Sequence, residues 1–146
     1  MTKKTVLTVD LGAESGRVIA VTFDGAQLST RELRRFSNPL TTVNNSTHWD
    51  FFHLWREIQA GMDPGKELDP ARIGVDTWGV DFALLDRQGQ LLANPVSYRD
   101  NRTEGMMDAV FARVPRTEVF SRTGVQFMRI NTLYQLMSLL ETGSPQ

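Results

Sequence analysis

Two β-branched runs joined by a small-residue turn constrain this chain more than any other feature. Lys4–Asp10 reads K-T-V-L-T-V-D and Arg17–Phe23 reads R-V-I-A-V-T-F, with L-G-A-E-S-G between them. β-Branched side chains pack well on a pleated surface, so each run predicts a strand. Asp24-Gly25 is a strong hairpin signal, and Gln27–Phe36 alternates as a third strand. Three strands with short connections predict an antiparallel meander. That meander sets the Gly12–Gly16 turn at one end of a sheet, immediately after the carboxylate of Asp10.

The rest of the chain alternates. Ser37–Thr47 is polar, holds Asn38, Pro39, Asn44 and Asn45, and reads as a surface loop. A helix is expected from Trp49 or Asp50, with Asp50 as N-cap and Phe51, Leu54, Trp55, Ile58 and Met62 at helical spacing. Pro64-Gly65 ends it. The aromatic cluster Trp49, Phe51, Phe52 and Trp55 reads as core and its approach. Arg72–Thr77 is a short buried-strand candidate, Val80–Leu85 is expected to pair across the turn Arg87–Gly89, and a further short strand ends at Pro95–Tyr98. Helices are expected at Thr103–Val114, Arg116–Arg122 and Asn131–Glu141, the last with Leu133, Leu136, Met137 and Leu140 inward. Strands first and then helices alternating with strands predict an α/β domain with a mixed sheet.

Composition removes several classes of function. The 146 residues carry 16 Lys and Arg against 17 Asp and Glu, a formal charge of −1, which argues against a dedicated nucleic-acid binder. There is no cysteine, so disulfides, Cys-ligated zinc and thiol catalysis are excluded. No apolar run approaches the roughly 18 residues of a membrane span. The run Val6–Val9 is broken by Asp10, so a signal peptide is not expected at the N-terminus. His48 and His53 have no acid at metal-ligand spacing, and no G-x-G-x-x-G or G-x-S-x-G is present. Gly61–Glu67 only superficially suggests a phosphate-binding P-loop. Its spacing is one residue short and Glu67 stands where Ser or Thr is needed.

Three segments carry chemistry. In Asp10–Arg17 the glycine-bearing turn can bring backbone N–H groups close to phosphate oxygens, and Arg17 adds a positive charge. Asp10 at the strand end is placed for a divalent cation, through water if the ion is Mg²⁺. An ordinary hairpin with a solvated Asp is the competing reading. In Asp76–Phe82 (D-T-W-G-V-D-F) a strand ends at a bend with an indole and two carboxylates. Such strand ends are where α/β folds build sites. An indole face and carboxylate acceptors suit a polyol or sugar; a core Trp in a capped turn is the alternative. In Tyr98–Thr103 (Y-R-D-N-R-T), Asp100 or Asn101 can cap a helix, while Arg99 reaches a ligand or pairs with Asp100.

Four collinear strings resemble the N-terminal part of the FGGY carbohydrate kinases: Val9–Val18, Ile73–Asp86, Tyr98–Thr103 and Thr123–Leu136. Within that family, D-T-W-G-V-D-F is similar to members that act on L-rhamnulose. The resemblance implies a ribonuclease-H-like, actin-like ATPase fold, present twice in a full kinase, and phosphoryl transfer from MgATP to a sugar hydroxyl in the cytoplasm. By position, Asp10 would be the Mg²⁺-linked acid. Ala13, Glu14, Ser15, Gly16 and Arg17 would form the first phosphate loop. Gly79 would line the sugar site, with Trp78, Asp81 and Arg99 as further candidates.

The resemblance also implies that residues 1–146 are an incomplete first lobe. The general-base Asp, the second phosphate loop and the adenosine pocket would then lie beyond Gln146. The missing C-terminal part is the implied partner, and exposed apolar surface is expected to permit self-association. Neither nucleic acid nor membrane is an expected partner. Such a segment alone is expected to be inactive.

Two other readings stay open. A ribonuclease-H-like nuclease would gather Asp10, Glu57 and Asp76 into a metal-binding carboxylate cluster, which requires Glu57 to face the other two. A non-enzymatic sugar- or nucleotide-binding module would bind without turnover.

Overall fold

The computed structural model describes residues 3–143, which divide into two compact units, residues 3–39 with 50–79 and residues 40–49 with 80–143. In the first unit, β1 (Lys4–Leu11), β2 (Ser15–Phe23) and β3 (Leu28–Ser37) form the expected antiparallel meander. A later strand of this unit (Arg72–Thr77) pairs in parallel with β1, so the sheet is mixed. Alternation decides its faces. Leu7 and Val9 of β1 and Gly16, Val18 and Ala20 of β2 point to one side and are buried, while Val6, Thr8, Asp10, Arg17 and Ile19 point to the other and stay half-buried.

α1 (Phe51–Met62) covers the buried side. Asp50 caps it, its Oδ1 accepting the His53 N–H at 2.9 Å. Leu54 packs with Val9, Val18 and Phe36, and Ile58, Met62 and Trp78 close the cluster. A methyl on Gly16 would come within 2.3 and 2.4 Å of two Phe36 ring carbons. Gly16→Ala is therefore expected to destabilise the first unit by about 1–3 kcal/mol, the usual cost of overpacking. Urea unfolding measures it, and Phe36→Leu in the same chain should recover part of the loss. An unchanged midpoint would show that Gly16 is not held by packing.

Two expectations fail here. Phe51, Phe52 and Trp55 are exposed, Phe52 by 63%, so only Trp49 of the aromatic cluster is core. One face of α1 meets the sheet, and that face is filled by Leu54 and Ile58. The strand Arg72–Thr77 is exposed along its whole length, because β1 is its only neighbour among the described residues. α1 ends at Met62, just before Pro64-Gly65 as expected, and a 3-10 helix, Asp63–Leu68, follows it.

In the second unit the expected loop is a hairpin, β4 (Leu40–Val43) with β5 (Ser46–Trp49). Asn44 and Asn45 turn it with φ of 48° and 66°, the two left-handed positions a tight hairpin requires. The strand Arg72–Thr77 is β6 in chain order. The expected pairing of Val80–Leu85 reduces to one bridge, Leu85 with Leu91, and the strand ending at Tyr98 to one bridge, Val96 with His48. α2 spans Met106–Phe111, shorter than expected because Glu104 is extended and Gly105 sits at φ 74°. α3 (Arg116–Thr123) ends at the left-handed Gly124.

α4 (Thr132–Thr142) is rotated from the expected orientation. Tyr134, Gln135, Met137 and Ser138 are buried; Leu133, Leu136 and Leu140 are exposed, Leu140 by 74%. Tyr134 and Met137 join Val110 and Val119 in the core of this unit. Gln135 is drawn inward by polar partners, which a count of apolar residues on a helical wheel does not register.

Candidate functional site

The turn after β1 is a two-residue hairpin. Gly12 N–H donates to the Ser15 carbonyl at 2.9 Å, leaving Ala13 and Glu14 at the tip. The register that follows sets Asp10 opposite Arg17, and the Arg17 guanidinium donates to Asp10 Oδ2. Both side chains are about two-fifths exposed, at 38% for Asp10 and 40% for Arg17. On the other flank Asp76 of β6 is the register partner of Asp10. The first unit therefore brings two carboxylates and one guanidinium to the end of β1.

Asn38 braces this turn, and sequence reasoning missed it. Its backbone N–H donates to the Glu14 carbonyl at 2.9 Å and its side-chain Nδ2 to the Gly12 carbonyl at 3.1 Å. It is buried, and its Oδ1 finds no hydrogen-bond partner among the described residues. Its place just past the end of β3, opposite the start of β2, was the available signal.

The bend after β6 crosses from one unit to the other. Trp78 packs against the core of the first unit. Gly79 is exposed, has no left-handed φ, and a methyl built on it meets no atom within 4 Å. Among the described residues neither packing nor backbone geometry calls for glycine there. Val80, in the second unit, lies at φ 75°. For a β-branched residue this is a true outlier, costing on the order of 1–3 kcal/mol, and such strain gathers at functional positions.

Asp81 is held on both oxygens. The Trp49 indole N–H donates to Oδ2 at 2.6 Å and Gln135 Nε2 donates to Oδ1 at 3.1 Å. Arg99 is exposed, with its guanidinium carbon 5.7 Å from the Tyr98 ring centroid. Asp100, buried, caps the following 3-10 turn and accepts from Arg102 N–H at 2.8 Å, Thr47 N–H at 2.7 Å and Ser46 Oγ at 3.3 Å. Arg102 is half-buried, and desolvation lowers its pKa against the pull of Asp100 and Asp81.

The nuclease arrangement is absent. Glu57 accepts from Arg34 Nε at 2.7 Å, and its helix lies on the Val9 side of the sheet. Asp10, one residue along the strand, points to the opposite side. Among the described residues no group of three His, Cys, Asp or Glu side chains can hold a metal ion. An Mg²⁺ that keeps its waters and takes further ligands from phosphate needs only one or two carboxylates, and the register pair Asp10 and Asp76 fits that demand. Among the described residues no helix is long and apolar enough to cross a membrane.

The profile of the N-terminal domain of the FGGY family of carbohydrate kinases matches residues 5–143. A rhamnulokinase of Pectobacterium atrosepticum is 46% identical over 145 residues, covering 97% of this chain and 29% of the relative. A rhamnulokinase of Pectobacterium carotovorum subsp. carotovorum is 44% identical over 148 residues, covering 99% of this chain and 30% of the relative. Among solved structures, a gluconate kinase from Lactobacillus acidophilus superposes with a TM-score of 0.78 at 17% identity, over 97% of this chain and 29% of that one. The chain thus spans under a third of the length of the relatives it matches. The mixed sheet of the first unit, with α1 on one face, belongs to the sugar-kinase, actin-like ATPase fold.

Proposed function

This chain belongs to the FGGY family of carbohydrate kinases, and from that premise we propose that it is the N-terminal segment of an ATP-dependent L-rhamnulose kinase. The complete enzyme would transfer the γ-phosphoryl group of ATP to the 1-hydroxyl of L-rhamnulose. The observation that carries the reading is the 46% identity to a rhamnulokinase over 97% of the chain.

The proposed roles follow from what each group offers. The hairpin Ala13–Gly16 presents backbone N–H groups to phosphate oxygens, and Arg17 adds charge beside them. Gly16 serves that loop chiefly by letting it pack on Phe36. Asp10, with Asp76 beside it, would hold Mg²⁺ through water; the ion supplies neutralisation of the charge that develops on the phosphates. Gly79 leaves room for a ligand against the backbone, and Trp78 and Arg99 remain candidates for the sugar. Asp81, engaged by Trp49 and Gln135, supports the turn rather than the sugar. The general base would come from the remaining chain, which is the proposed partner. The exposed apolar residues Ile73 and Val75 of β6 support self-association when this segment is alone. Use of ATP fits a cytoplasmic setting.

The test is a coupled ADP assay on the full-length enzyme that carries this segment, with L-rhamnulose, D-xylulose, gluconate and glycerol compared by kcat/KM. L-Rhamnulose should lead; a higher value for another of these would overturn the substrate assignment. Gly79→Leu in the same enzyme should raise the sugar KM about tenfold or more while leaving the ATP KM and Tm nearly unchanged, because the added side chain removes substrate binding and nothing else. A lower Tm with an unchanged sugar KM would make Gly79 a structural residue.

A further inference from the structure

We propose that Gln135 is a positioning residue for the sugar-binding turn, acting through Val80 and Asp81; the proposal rests on the assignment of Gly79 to the sugar. Gln135 is completely buried in the second unit. Its Nε2 donates to Asp81 Oδ1 at 3.1 Å, with the Val80 carbonyl at 3.3 Å and the Ile130 carbonyl at 2.9 Å. Its Oε1 accepts from Arg102 Nη2 at 2.6 Å. Thr132 Oγ1 donates to the same Val80 carbonyl at 2.6 Å. The start of α4 therefore grips the carbonyl of the strained residue that directly follows Gly79.

The chemistry at this position is narrow. The side chain must donate toward a carboxylate and a carbonyl while accepting from a guanidinium. A carboxamide does both at once; an ionised carboxylate cannot donate, an ammonium cannot accept, and a thioether does neither usefully. Asn would be shorter by one methylene. The outcome is a part-buried chain of bonds, Trp49 to Asp81 to Gln135 to Arg102, with every link within 3.1 Å. Such a network specifies one conformation because leaving any member unpaired is costly. Here the conformation specified is a left-handed valine at the end of the sugar-binding turn. A core that merely needed filling would be met by an apolar residue without strain at Val80.

The experiment is a KM-against-kcat analysis of the full-length enzyme carrying this segment. Gln135→Met keeps the length and removes both polar functions. It should raise the sugar KM about tenfold, the loss of one hydrogen bond's worth of positioning, with the ATP KM within about twofold. Gln135→Glu sets a carboxylate against Asp81 and should be worse. Asp81→Asn combined with Gln135→Glu reverses donor and acceptor and should recover much of that loss, which a simple packing role would not predict. Where Gln135→Met fails to fold, Thr132→Val removes only the hydroxyl on the Val80 carbonyl and should show the same selective rise in sugar KM. An active wild-type enzyme whose sugar KM ignores these changes, or whose two KM values rise together, overturns the proposal. A wild-type enzyme with no sugar-dependent turnover overturns the sugar-site assignment and the proposal with it.

Discussion

Alone, the 146-residue chain should form no L-rhamnulose-dependent ADP above background, a deficit of at least ~10⁴-fold against a complete kinase. Phosphoryl transfer asks little covalent chemistry of a protein. It depends on holding nucleophile and phosphate in line and on meeting the charge that builds on the phosphate oxygens. This chain spans 29% of the rhamnulokinase of Pectobacterium atrosepticum. On the proposed reading it supplies one phosphate turn and one wall for the sugar, and no base for the sugar hydroxyl. The check is the coupled assay with MgATP and L-rhamnulose, run beside that rhamnulokinase as control. Turnover within about a hundredfold of the control would mean that the general base lies inside this chain, and that the division of labour proposed here is wrong. Calorimetry with ADP or L-rhamnulose on the same sample separates a silent kinase segment from a binding module. Heat without turnover would favour the module.

What could be read from the sequence was local and periodic. The meander was legible because β-branched runs alternate on either side of short turns, and Asp24 confirms its turn by accepting from Ala26 and Gln27 N–H groups. Those bonds also lower the Asp24 pKa. The pairing of Asp10 with Arg17 was in principle legible too. A two-residue tip at Ala13-Glu14 makes positions 10 and 17 register partners. The hairpin at Asn44-Asn45 was missed because its flanking residues are polar, although two successive Asn suit two left-handed positions.

What could not be read depends on partners far along the chain. The buried face of α4 is decided by Gln135, whose partners Val80, Asp81 and Arg102 lie more than 30 residues away. The exposure of Phe52 and Trp55 follows from the sheet presenting one face to α1. Val80 is the strongest case. Its residue type argues against a left-handed backbone, and its carbonyl accepts from Thr132 and Gln135, 52 and 55 residues further along the chain. Local propensity gave the frame of the site, and the residue that violates it marks the turn on which the proposed sugar contact depends.

The ion pair at the end of β1 yields the other large expected effect. Asp10→Asn in the full-length enzyme should lower kcat/KM by about 10²–10³ while leaving Tm within a few degrees. The stability term is small because Asp10 and Arg17 are each about two-fifths exposed, and such pairs contribute ~0–1 kcal/mol. The catalytic term is large because the carboxylate is the proposed tether for the ion that meets the phosphate charge, and an amide is a weak ligand for Mg²⁺. Arg17→Met separates the two roles of the pair. If Arg17 serves the phosphates, its loss should raise the ATP KM with kcat largely kept. If Arg17 serves only to orient Asp10, its loss should reproduce the Asp10→Asn profile in milder form, and higher Mg²⁺ should relieve it. Should Asp10→Asn cost stability and leave turnover intact, Asp10 would be no more than the cross-strand partner of Arg17, and the cation would have to be held elsewhere in the kinase.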